Sequence, residues 1–132
     1  MKITADTNIL VRAIVADEPK QAAAAQALLD TAELVAVTPA CLCEFVWVLT
    51  RGYGIGLTDI GAAIRVLIDS ANVNADRPAI EAGLRMLDEG GDFADGVIAH
   101  EGAALEGAVF ASFDKDAVKR LGRLGQQVLQ VG

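Results

Sequence analysis

The chain has 132 residues, of which 53% are hydrophobic, and a formal net charge of −7. That length fits one domain, 1–132, with ample material for a packed core. No apolar stretch reaches the ~18 residues of a membrane span, and the charge argues against a general nucleic-acid-binding surface, because phosphate affinity comes from Lys and Arg.

Apolar runs of strand length alternate with longer segments of helical period. Met1-Lys2-Ile3 begins a strand rather than a signal peptide, so a soluble, cytoplasmic protein is expected. The first strand, 2–5, runs into Asp6-Thr7-Asn8, with helices expected at 9–16 and 20–29. A strand at 34–37 leads to Thr38-Pro39, which reads as an N-cap followed by proline at the first helical position, and so to a helix at 39–51. Cys41 and Cys43 on that helix are the only cysteines. Two residues apart they point about 200° apart, too far to bridge, and both read as reduced core thiols. Phe45 and Trp47 read as core or subunit-interface residues. The glycine-rich stretch from Gly52 to Gly56 reads as a loop; it lacks the Lys-Ser/Thr of a phosphate-binding loop.

A helix at 58–70, a short strand at 72–74 and a helix at 78–89 follow, the last ended by Gly90-Gly91. Asp92 and Asp95 resemble a capping box that opens a helix at 93–106. His100 lies on it without an identifiable serine or cysteine partner, so a catalytic triad is not indicated. A strand at 108–112, a helix at 115–121 and a strand at 128–131 complete the chain. Lys115, Lys119, Arg120 and Arg123 make a local basic group, open to reading as a substrate patch or as a solvated helix face. The alternation implies an α/β fold with a mostly parallel central sheet and helices on both faces. In such folds ligands bind beyond the carboxyl ends of the strands.

Four acids fall where that edge would be: Asp6 and Asp114 after strands, Asp95 in the first turn of a helix, and Glu44 in the second turn of another. Each has an ordinary alternative. Asp6 can form an Asx-turn or cap its helix. Glu44, set among Leu42, Cys43, Phe45, Val46 and Trp47, is either paired in the interior or facing a polar cavity, since unpaired burial costs several kcal/mol. Asp95 can partner the Asp92 cap, and Asp114 can cap the helix that follows it. Taken together, carboxylates so gathered repel one another unless a cation sits among them, and hard oxygen ligands point to Mg²⁺ or Mn²⁺.

Thr4-Ala5-Asp6-Thr7-Asn8-Ile9-Leu10, Glu44 within Cys43 to Leu49, Asp92-Phe93-Ala94-Asp95-Gly96-Val97-Ile98-Ala99 and Ser112-Phe113-Asp114-Lys115-Asp116, in this order and spacing, give the full chain a resemblance to the PIN-domain ribonucleases. Among these it most closely resembles the VapC toxins of bacterial toxin–antitoxin pairs. The resemblance implies a three-layer α/β/α fold and places the family's acidic quartet on Asp6, Glu44, Asp95 and Asp114. Asn8 and Ser112 fall on polar positions that orient the quartet, and Asp92 and Asp116 on accessory acids. It further implies Mg²⁺-dependent RNA hydrolysis, homodimerisation, and inhibition by a small VapB-like antitoxin, with DNA met only indirectly through that antitoxin. Ser112 stands where threonine is common and keeps the hydroxyl.

These residues suit metal-assisted phosphodiester hydrolysis, with Asp6, Asp95 and Asp114 holding one or two ions and Glu44 completing the cluster or orienting the attacking water. The competing class is a catalytically silent domain that binds metal, RNA or the antitoxin. A phosphatase of the aspartyl-phosphate type would want an acid where Asn8 stands, and a receiver domain a phosphoacceptor Asp where the strand 34–37 ends in Thr38.

Overall fold

In the computed structural model, which describes residues 1–132, the chain divides into two units, Met1–Asp76 and Arg77–Gly132. The first contains β1 (Lys2–Thr4), α1 (Thr7–Val15), α2 (Pro19–Thr31), β2 (Leu34–Val37), α3 (Pro39–Trp47), a π-helical turn (Val48–Gly52), α4 (Leu57–Asp69) and β3 (Val73–Ala75). Its strands form a parallel sheet of order β1-β2-β3, with Ile3 opposite Val35 and Val35 opposite Val73. Parallel neighbours cannot be joined by a tight turn, so each step between them is a helical crossover. Within β2, Val35 and Val37 are buried and alternate with half-buried residues. Leu10, Leu42, Phe45, Leu49, Ile60 and Ile64 are each at most 1% exposed and make up the apolar interior of this unit.

Several boundaries move for local reasons. Helix α1 begins at Thr7, two residues earlier than expected, because Asp6 is its cap and accepts from the Thr7 N–H at 2.8 Å. Thr38 caps α3 by accepting from the Cys41 N–H, with Pro39 at the first position. The end of α2 is closed from far along the chain, since the Asn72 amide donates to the carbonyls of Leu29 and Ala32. Both carbonyls lie at the helix terminus, where no intrahelical partner exists. The helix expected to run to Arg51 loosens into the π-helical turn, where the Thr50 hydroxyl donates back to the Val46 carbonyl. Such a side-chain bond competes with the helical ladder and bends it. Phe45 is fully buried as expected, whereas Trp47 is 63% exposed and is not a core residue. Cys41 and Cys43 are half-buried thiols rather than core residues.

The second unit holds α5 (Arg77–Asp88), α6 (Phe93–Ala104), β4 (Val109–Ser112), α7 (Lys115–Arg123) and β5 (Gln127–Gln130). Strands β4 and β5 pair in parallel, Val109 opposite Gln127 and Ser112 opposite Gln130. One side of this ribbon packs Phe110 and Val128 against Met86, Ala99 and Leu121. Helices α5 and α6 approach so closely that a Cβ on Gly96 would lie 2.4 Å from the Ala82 carbonyl oxygen. Only a glycine fits there, and the contact fixes the first turn of α6, which carries Asp95. Helix α7 continues through Gly122 to Arg123 and ends at Gly125, whose φ of +91° is a left-handed stop that glycine adopts without strain. No helix of the structure is long and apolar enough to cross a membrane.

Candidate active site

In the first unit, Asp6 and Glu44 line one pocket of about 240 Å³, together with Thr7, Asn8, Val11, Arg12, Val48 and Tyr53. The local folding explains the placement. The parallel register of β1 and β2 puts Asp6 and Thr38 at the same end of the sheet, and each starts a helix there. Glu44 follows in the second turn of α3. It is exposed, so the dilemma posed by its apolar neighbours resolves toward the polar cavity, without buried pairing. Asp6 keeps its capping bond while it lines the pocket, so capping and site placement coexist in one residue.

Arg12 and Tyr53 are members of this pocket that the sequence did not single out. The Arg12 Nη1 donates to Asp17 Oδ1 at 3.0 Å and reaches the Tyr53 hydroxyl at 3.5 Å, and that hydroxyl donates to Asp17 Oδ2 at 3.1 Å. A signal for Arg12 existed: it lies four residues after Asn8 on α1, hence on the same helix face. Tyr53 had none, because it follows the π-helical turn, which the helical period of the preceding residues does not announce. Cys41 lies close enough for Asp6 and Glu44 to act on it. Its thiol is pushed up first by burial, against a Thr7 hydroxyl bond that lowers it, with the two carboxylates adding to the rise. It donates toward the Ala5 carbonyl.

In the second unit, Asp114 caps α7 by accepting from the N–H groups of Asp116 and Ala117, and the Ser112 hydroxyl accepts from the Asp114 N–H at 2.9 Å. Asp92 caps α6 through the Ala94 N–H, while Asp95, the expected capping-box partner, sits half-buried in the first turn. The Asp95 carboxyl is pushed up to about 6 from the ordinary 3.8, chiefly by burial and then by the charges of Asp92, Asp114 and Asp116. Asp116 is in an ion pair with Arg120 at 2.8 Å. Arg120 also donates to the Glu89 carbonyl, and Arg123 pairs with the Glu89 side chain. Two of the four cations in the basic stretch are thus engaged structurally. His100 belongs to neither acid group.

No three His, Cys, Asp or Glu side chains stand together as a ready coordination group. The donor chemistry nonetheless fits a hard divalent cation. The groups on offer are carboxylate oxygens, and a cation would offset both the burial that chiefly raises Asp95 and the smaller push from Asp92, Asp114 and Asp116.

Comparison with protein families matches residues 3–124 to the family described as PIN domain. No curated protein matches the chain.

Proposed function

The chain belongs to the PIN-domain family of metal-dependent nucleases, with its three-layer α/β/α fold, and we propose that it is an endoribonuclease and the toxin of a VapC-type toxin–antitoxin pair. The observation that carries the nuclease reading is the family match over residues 3–124, joined to the pocket whose walls carry the carboxylates of Asp6 and Glu44.

We assign metal holding to Asp6 and Glu44 of the first unit and Asp95 and Asp114 of the second, with Mg²⁺ the expected ion and Mn²⁺ a substitute. Such an ion supplies activation of water, polarisation of the phosphate and stabilisation of the leaving oxygen. The protein's own contribution begins with Glu44, an exposed carboxylate in the pocket, which orients the attacking water. Water adds to phosphorus, the bond to O3′ breaks, and a proton passes to the leaving oxygen, giving a 5′-phosphate and a 3′-hydroxyl. The helix caps at Asp6 and Asp114 hold both carboxylates in place before substrate arrives. Asn8 and Ser112 assist, the latter through its bond to the Asp114 N–H. Asp92 and Asp116 act as outer acids.

The partners in this reading are RNA, a VapB-like antitoxin and a second copy of the chain in a homodimer, in the cytoplasm. Trp47 and Val66, 63% and 72% exposed, supply apolar surface for protein contacts. The test is cleavage of structured RNAs by the purified, antitoxin-free protein with Mg²⁺, Mn²⁺ or EDTA. Site-specific cleavage that needs the metal and is lost in Asp6→Asn supports the reading. Full activity in both Asp6→Asn and Asp95→Asn removes the assignment, and a folded protein that binds metal and RNA without turnover is a binding domain instead.

A further inference from the structure

Two pockets of the first unit share a wall. The pocket of Asp6 and Glu44 has Asn8 and Arg12 in its lining, and so does a second pocket, of about 500 Å³, lined mostly by α1 and α2. That volume falls within the roughly 300–1,000 Å³ of small-ligand sites. Its remaining lining is Ile9, Gln21, Ala24, Ala25 and Leu28. Small apolar side chains give walls that a planar group can lie against. The amides of Asn8 and Gln21 each offer a donor and an acceptor, the combination that reads a base edge. Neither amide is used within the protein, whereas Gln26 on the same helix donates to the Ala13 carbonyl.

Arg12 stands in the common wall. Asp17 and the Tyr53 hydroxyl both hold its Nη1, so the long side chain is already ordered, while Nε and Nη2 bond to nothing in the protein. An ordered guanidinium with open donors is matched to a phosphate, and its ordering entropy is lost before binding. In a chain of net charge −7, such a local donor is where a polyanion finds purchase.

We propose that the α1–α2 pocket binds one unpaired nucleobase of a single-stranded RNA, and that Arg12 donates to the phosphate between that base and the Asp6–Glu44 pocket. Gln21 and Asn8 then select the base beside the cut. The placement of the cut rests on the nuclease reading; the binding of base and phosphate does not.

Two readouts on the full-length protein separate the two claims. Fluorescein-labelled single-stranded RNA decamers of random sequence are titrated with Ca²⁺ in place of Mg²⁺, and the ends produced from the same pool in Mg²⁺ are sequenced. Arg12→Ala weakens binding by roughly ten- to a hundredfold, the worth of charge-assisted hydrogen bonds, and Arg12→Lys recovers part of it. Ala24→Leu, at an exposed helical position that accepts leucine without harm to folding, fills the pocket and erases the preference at one position beside the cut. Gln21→Ala flattens the same preference. Melting temperatures establish that each variant is folded. Failure of the wild type to bind, or unchanged binding in both Arg12→Ala and Ala24→Leu, overturns the inference. Binding lost in these variants when the wild type cuts nothing keeps the inference and removes the nuclease reading. Normal cutting with a base preference that neither Ala24→Leu nor Gln21→Ala moves does the reverse.

Discussion

The two units hold their acids in opposite ways. In Met1–Asp76, Asp6 and Glu44 are exposed on the walls of an open pocket, with the guanidinium of Arg12 in the same lining. In Arg77–Gly132, Asp95 is half-buried and faces the charges of Asp92, Asp114 and Asp116, while Arg120 is engaged by Asp116 and the Glu89 carbonyl. Water screens the first pair, whereas burial sharpens the repulsion in the second. The first group lies open to solvent beside a cation, and in the second the one cation at hand pairs with Asp116 rather than with Asp95. Carboxylates that look interchangeable in the sequence therefore differ in what the same substitution does to stability, although the proposed function has both groups serve cleavage.

The largest expected effect is on cleavage. Asp6→Asn and Asp95→Asn each lower the rate by roughly 10²–10³-fold, as loss of one charge-stabilising group does in other active sites. Single-turnover assays on a cleavable RNA measure it. Asparagine is the right replacement at Asp6, because it caps a helix as well as aspartate does. An activity loss confined to one of the two would break the equivalence of the groups.

Next in size is packing. Gly96→Ala places a methyl against the Ala82 carbonyl and destabilises the protein by about 1–3 kcal/mol, read from urea unfolding. A variant as stable as the wild type would mean that the first turn of α6 shifts easily, and with it Asp95. Asp114→Ala removes the cap of α7 and costs about 0.5–2 kcal/mol, whereas Asp114→Asn costs much less. Equal losses would show that charge rather than capping sets the stability at this position.

The smallest effect carries the most diagnostic pH dependence. Because the Asp95 carboxyl is raised to about 6 from 3.8, the folded protein binds its proton more tightly than the unfolded chain does. Stability tied to that proton is complete below about 3.8 and is lost as pH rises through about 6. Asp95→Asn, which does not ionise, therefore gains on the wild type across that window and keeps the gain above it. Added Mg²⁺ stabilises the wild type and erodes the difference. Melting temperatures across pH 3.5–7.5, with EDTA or Mg²⁺, give the reading; a wild type that parallels the mutant at every pH would remove the repulsion argument for the second group.

Much of the fold was legible along the chain. The strand–helix alternation, the Thr38-Pro39 start and the Asp92 cap are local signals, and the structure realises each of them. The positions of the acids were legible for the same reason, since strand ends and helix starts are set by neighbouring residues. Their surroundings were not. The sequence left Glu44 either paired in the interior or facing a polar cavity, and only the structure turns it, like Trp47, outward, because the direction of each side of α3 is decided by what packs on Leu42, Phe45 and Val46. The capping box at Asp92 and Asp95 was half right. Asp92 caps, while burial and three nearby acids define the state of Asp95.

The sequence by itself determined the order of the elements, the parallel α/β class and the placement of the acids at strand ends and helix starts, because capping and period act over a few residues. The tertiary structure alone decided that Arg12 and Tyr53 meet over Asp17 beside Asp6 and Glu44, that Asn72 closes a helix forty residues before it, and that Asp95 is half-buried. Those outcomes depend on burial and on distances between residues far apart in the chain, which only packing fixes.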